Sequence, residues 1–222
     1  MDASWLVVLT LAFGLGMLHA LDADHIMAVS GLASMGTGRQ RALTFCARWA
    51  IGHGLTLLAI GAAVLLLGLA LPARLGNAAE SLIGAVLVLI GAWVLRDLWR
   101  RRVQLHFHEH EGAITHAHWH LKNAKPSRHM HGHGAVLVGV MHGIAGSAPL
   151  LALLPMAQYG AWFGLSYLLL FGVGVLVSML VFGGLLGVVF DRLARHGERV
   201  FRWTRGLVAM SSMLYGAMLL HG

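Results

Sequence analysis

The chain has 222 residues, 58% of them hydrophobic and 11% charged, with 29 glycines and a formal net charge of +7. That balance excludes an ordinary soluble domain and points to a membrane protein. The excess of positive charge does not signal nucleic acid, because the basic residues fall in short runs between apolar spans rather than on one face of a polar fold. A bilayer-crossing helix needs about 20 mostly apolar residues, and six segments meet this, at roughly 4–34, 45–70, 79–99, 135–156, 161–190 and 204–221. The first has only Asp2 before it and no basic leader, so it is expected to be a permanent span rather than a cleaved signal peptide. It and the fifth exceed one crossing, and are expected to be tilted, broken, or continued as helix beyond the bilayer.

The first span contains "LGMLHALDADHIMAVSGL", with His19, Asp22, Asp24 and His25 inside otherwise apolar sequence. An ionisable group at membrane depth costs roughly 2.5 to 3.5 kcal/mol on insertion scales, so such a cluster marks a functional site. On an ideal helix Asp22 is flanked by His19 and His25 about 60° to either side, while Asp24 lies about 160° away. Using Asp24 as well requires the helix to unwind there. The second span carries His53 between Gly52 and Gly54, where a ligand or another backbone can come close. Cys46, the single cysteine, excludes an internal disulfide and a thiolate cluster, and reads as a small buried residue.

Between the third and fourth spans lies "HFHEHEGAITHAHWHLKNAKPSRHMHGHG", which holds nine of the fifteen histidines: His106, His108, His110, His116, His118, His120, His129, His131 and His133. Its low apolar content predicts a mobile loop. Such H-x-H tracts bind divalent transition metals weakly at several places, less so as imidazoles protonate below about pH 6.5. The fourth span opens on His142, followed by Gly143, Gly146, Ser147, Pro149 and Pro155, a composition that permits close packing and unwound backbone. The arginines from Arg192 to Arg205 read as topology determinants near anionic lipid.

With six spans, fifteen of the sixteen basic residues fall on one side and only Arg74 on the other. Positive charge is retained on the cytoplasmic face, so both termini are expected outside, in a bacterial-type inner membrane. The halves also resemble each other: "LGMLHA" with "VGVMHG", "IGHG" with "FGVG", and "GAWVL" with "GAMLL", at offsets of 123, 120 and 125. Three spans per half make the second copy enter from the opposite side. The expected fold class is therefore an all-α polytopic membrane protein of six transmembrane helices in two inverted three-helix repeats. Residues 1–100 form the first repeat, 101–134 a cytoplasmic His-rich loop and 135–222 the second repeat. Inverted repeats are common among secondary transporters, with the substrate site near the midplane.

Imidazoles with a few carboxylates suit nickel, cobalt, zinc or copper(II), whereas magnesium and calcium want all-oxygen shells. The competing reading is that these groups pair with one another as buried polar glue or as a proton relay. The metal-ligand candidates are His19, Asp22 or Asp24, His25, His53 and His142. His142 is the repeat partner of His19, and the repeat replaces both aspartates with Ala145 and Ser147. The negative charge thus comes from the first half alone.

The pattern His19-x4-Asp24-His25 resembles the H-x4-D-H signature of the nickel/cobalt transporter family. The segments "GHG" at 52–54 and "MHGIAGSAPLL" at 141–151 resemble its shorter, six-span, urease-accessory-type members. The resemblance implies a carrier of Ni2+ and Co2+ with His19, Asp24 and His25 essential and His53 contributing. The chain lacks the additional spans of the longer permeases, and its His-rich loop resembles those of the family's efflux branch.

These readings give an expected membrane transporter rather than an enzyme, with Ni2+ or Co2+ as substrate and no permanent cofactor. Lipid is a partner, a cytoplasmic metallochaperone a candidate partner, and nucleic acid not a partner. No nucleotide-binding G-x-x-x-x-G-K-[ST] motif is present. The direction expected is uptake; the alternatives are efflux with capture on the His loop, and a membrane metal sensor or metallochaperone without transport. The sequence also lacks H-E-x-x-H, which argues against an intramembrane metallohydrolase.

Overall fold

The computed structural model describes residues 3–34, 38–68, 73–100, 105–108, 116–119, 130–145 and 159–221. Seven helices and one small hairpin make up these residues: α1 (Ala3–His19), α2 (Ala23–Ala33), α3 (Arg39–Leu67), α4 (Ala73–Arg100), β1 (Leu105–His108), β2 (His116–Trp119), α5 (Met130–Ala145), α6 (Ala161–Arg195) and α7 (Glu198–His221). Helices α3 and α6, and Glu80–Trp99 within α4, are each long and apolar enough to cross a membrane. The first span is broken: Trp5–His19 and Ala23–Ala33 qualify together, bent by 53°. Helix α7, 24 residues and about 36 Å long, has the length but carries Arg199, Arg202 and Arg205 in its first turns. The protein is a multi-pass helical membrane protein.

The outer surface is apolar, with Leu11, Leu55, Leu89, Leu169, Val181 and Leu214 all exposed, as expected of helices that face lipid tails. Exposed tryptophans stand near the helix ends. Trp5 packs edge-on against Phe163 at 4.5 Å between ring centroids, while Trp99 and Trp203 are exposed near the end of α4 and the start of α7. Indoles of this kind suit the headgroup level.

The helices pack in pairs: α1 against α6, α3 against both α5 and α6, and α4 against α7. Glycines set these crossings, since a Cβ at Gly16 would collide with the Phe171 carbonyl and one at Gly139 with the Trp49 carbonyl. Likewise Gly174 meets the Phe13 carbonyl where Gly52 meets that of Val136, and Gly91 meets the Ala209 carbonyl where Gly216 meets that of Gly84. Each contact turns into the next when a residue is replaced by the one 122 to 125 positions away in the other half. The structural register across α3 and α6 pairs Gly52 with Gly174, two residues from the alignment of "IGHG" with "FGVG".

Three further features depart from the sequence reading. Helix α5 begins at Met130, five residues before the expected start at 135, and so takes in His131 and His133. The segment expected to be an unstructured loop contains the antiparallel hairpin β1–β2, in which Leu105 pairs with Trp119 and Phe107 with Ala117. Arg205, grouped above with lipid-facing arginines, is buried and donates from Nη2 to Asp97 Oδ2 at 3.0 Å, tying α7 to α4. Beside it in the same helix pair, the buried Ser212 hydroxyl donates to the Leu87 carbonyl.

Candidate metal centre

The site begins where α1 stops. After His19 the chain makes a tight turn, with Leu21 N–H donating to the Leu18 carbonyl and Asp22 N–H to that of His19. Asp22 takes extended backbone angles, φ −61° and ψ 150°, at the N-cap position of α2, a position that suits aspartate. Its carboxylate makes no cap bond; instead it accepts from His19 Nδ1 at 2.7 Å. Asp24, in the first turn of α2, accepts from His25 Nδ1 at 2.9 Å. The ideal-helix expectation of one shared face therefore does not describe this segment. The break lets both aspartates act, each on a different histidine.

Two more histidines arrive from other elements. His53 comes from the middle of α3 and His142 from the last turn of α5, and both are fully buried, as is His25. Ring centroids lie 4.7 Å apart for His19 and His25, 5.2 Å for His25 and His53, 5.4 Å for His19 and His53, and 5.4 Å for His25 and His142. One ligand-capable nitrogen from each of His19, His25 and His53 falls within 4.8 Å of the others. The Nδ1 of His142 is held by the Val138 carbonyl at 2.9 Å.

These hydrogen bonds fix the chemistry of the rings. A carbonyl or an ionised carboxylate can only accept, so Nδ1 of His19, His25 and His142 carries the proton and Nε2 presents a lone pair. All three Nε2 atoms are buried without a partner among the described residues, as are both ring nitrogens of His53. Leaving a buried polar atom unpaired costs about 1–3 kcal/mol, and a cation held by His19, His25 and His53 would satisfy one nitrogen of each. An all-imidazole set suits Ni2+, Co2+, Zn2+ or Cu2+. The C-terminal end of α1 adds partial negative charge beside His19.

A second grouping, Asp22, Asp24 and His25, also brings three ligand-capable atoms within 4.8 Å. It is the more open of the two, since the Asp22 side chain is 56% exposed against 16% for Asp24. Its carboxylates are already engaged as imidazole partners, so the buried nitrogens make the better inner ligands and the aspartates their orienting shell.

Of the loop histidines, His106 stands opposite His118 and His108 opposite His116 in the hairpin, four register positions that share one face. His110, His120 and His129 lie outside the described residues, as do Gly146, Ser147, Pro149 and Pro155. Sequence reasoning missed the aromatic residues of the centre. Trp49 stacks on His53 at 5.1 Å and 8°, and Phe171 tilts against His19 at 5.4 Å and 38°. The i, i+4 spacing of Trp49 and His53 on one helix face was the available signal.

A family model described as "Cytochrome C biogenesis protein transmembrane region" matches residues 11–218. The chain is also 34% identical over 193 residues to urease accessory protein UreH of Bacillus sp. (strain TB-90), an alignment covering 86% of this chain and 80% of the relative. No solved structure matches. Thiol exchange within the chain would need a second cysteine beside Cys46, which is itself buried. With the buried histidine centre and the apolar helices already described, these matches make the chain a multi-pass member of the cytochrome c biogenesis transmembrane-region family and a relative of UreH.

Proposed function

We propose that this protein carries Ni2+, and Co2+ as a second substrate, across the membrane through His19, His25, His53 and His142, with Asp22 and Asp24 orienting the first two. The observation that carries the reading is the convergence of buried, unpartnered ring nitrogens from four histidines, three of which, His19, His25 and His142, are already anchored at Nδ1. Polar glue would have paired the rings with one another; here Nδ1 of those three donates to a carboxylate or carbonyl, and no Nε2 of the four has a hydrogen-bond partner among the described residues. The kinship with a urease accessory protein supports nickel as the cargo, urease being a nickel enzyme.

The proposed architecture has six crossings in two inverted three-helix halves, both termini outside and the His-rich segment in the cytoplasm. The exchange-related glycine contacts support this, and alternating access would follow from the halves moving against each other. Uptake is the proposed direction, because an inside-negative potential favours a divalent cation entering by about 4.6 kcal/mol per 100 mV. A cytoplasmic metallochaperone would receive the ion.

Flux into proteoliposomes across Ni2+, Co2+, Zn2+ and Mn2+ tests the reading, with His19→Ala and His25→Ala as controls. Normal transport by both variants overturns the site. Efflux is the second reading, favoured by the H-x-H pairs that the hairpin sets opposite each other in register. Deletion of residues 105–119 should leave uptake intact but slow an exporter that depends on capture. A sensor or chaperone would bind metal and show no flux at all.

A further inference from the structure

His19, His25 and His142 are each held by a hydrogen bond at Nδ1. His53 is not: neither of its ring nitrogens has a partner among the described residues. A metal-binding histidine ordinarily has its ring plane fixed through the nitrogen that does not ligate. At His53 that restraint has another source. The indole of Trp49, one turn earlier on α3, lies parallel to the imidazole within 8°, with centroids 5.1 Å apart. Trp49 is itself wholly buried and cannot swing, since His25 meets it at 4.8 Å and 78° and His142 at 5.5 Å and 64°.

We propose that Trp49 is the positioning residue of the centre, its indole face holding the His53 ring in the plane from which it ligates the transported cation. The proposal rests on the reading that these histidines bind metal. A parallel stack restrains the tilt of a ring but carries no preference for which nitrogen is protonated, so the cation itself sets the tautomer of His53. The second half keeps an aromatic at the equivalent position but not the stack itself, since Val175 stands at the counterpart of His53. Phe171, the residue 122 positions on from Trp49, tilts against His19, just as Trp49 meets His142. The equivalent aromatic is a phenylalanine, which identifies Trp49→Phe as the conservative variant.

The test uses the full chain in nanodiscs, titrated with Co2+ and read by its d–d absorption, with nitrogen coordination of Ni2+ counted by X-ray absorption. Trp49→Leu should weaken Co2+ binding by roughly 10–100-fold, remove one nitrogen ligand and give the spectrum of His53→Ala. Trp49→Phe should keep the parent's spectrum and affinity. Because Trp49 acts through His53, Trp49→Leu should add nothing in a His53→Ala background. Should Trp49→Leu fail to purify folded, Trp49→Met keeps more side-chain volume without an aromatic face and carries the same expectation. A parent-like spectrum and affinity in these variants, or multiplicative losses in the double variant, overturn the role of Trp49. Failure of the parent chain to bind either ion overturns the proposed function and this inference together; a binding parent, metal loss in His19→Ala and a silent Trp49→Leu overturn this inference alone.

Discussion

A histidine and its carboxylate partner behave as one unit at the centre, so the two aspartates should differ in effect because their surroundings differ. Asp24 is largely enclosed and holds fully buried His25, whereas Asp22 is more than half exposed and holds the less deeply buried His19. Asp24→Asn should reduce metal affinity about 10–100-fold, the usual loss when an orienting partner is removed, and Asp22→Asn less. Isothermal titration with Ni2+ checks the order, and equal effects would point to both carboxylates ligating directly. At this scale much was legible in the sequence. His19, Asp24, His25, His53 and His142 stand out because a titratable group in apolar sequence is costly wherever it sits. What a sequence does not carry is which nitrogen each ring offers. That depends on the Val138 carbonyl and on two carboxylates whose directions follow from the break after His19.

Helices here meet backbone to backbone, which makes small changes at the crossings expensive. Gly52 and Gly139 each stand where a methyl group would strike a carbonyl of the facing helix, and Gly52 adjoins His53. Gly139→Ala should cost about 1–3 kcal/mol of stability through overpacking, and Gly52→Ala should also displace His53 and lower metal affinity. Thermal melts in detergent, with and without Ni2+, separate the two effects. The junction of α4 and α7 rests on the buried Arg205–Asp97 pair. Asp97→Ala should destabilise the protein by about 3–5 kcal/mol by stranding a buried guanidinium, and Asp97→Leu with Arg205→Leu should recover a large part of that loss. The same melts read this outcome. An arginine in a run of five reads from sequence as one more surface charge. Only the approach of α4 shows that Arg205 points inward while Arg202 makes a loose 3.7 Å pair with Glu198 at the surface.

The whole molecule turns on how its halves face each other. In a Cys46→Ala background, a cysteine at Arg74 should react with an impermeant maleimide in intact cells, and one at Ala113 only after permeabilisation. Labelling of both from one side would overturn the six-crossing topology. Apolar runs, the bias of arginine and lysine, and the spacing of polar residues are local or additive quantities, so the sequence by itself determined that the chain is a multi-pass membrane protein and which residues have chemistry to offer. Where those residues meet is set by contacts between segments more than a hundred residues apart, as Gly16 with Phe171 shows, and no window of sequence contains both partners. The burial of Arg205 and the meeting of His53 and His142 with His25 were therefore decided by the tertiary structure, because each depends on what another helix brings or leaves room for.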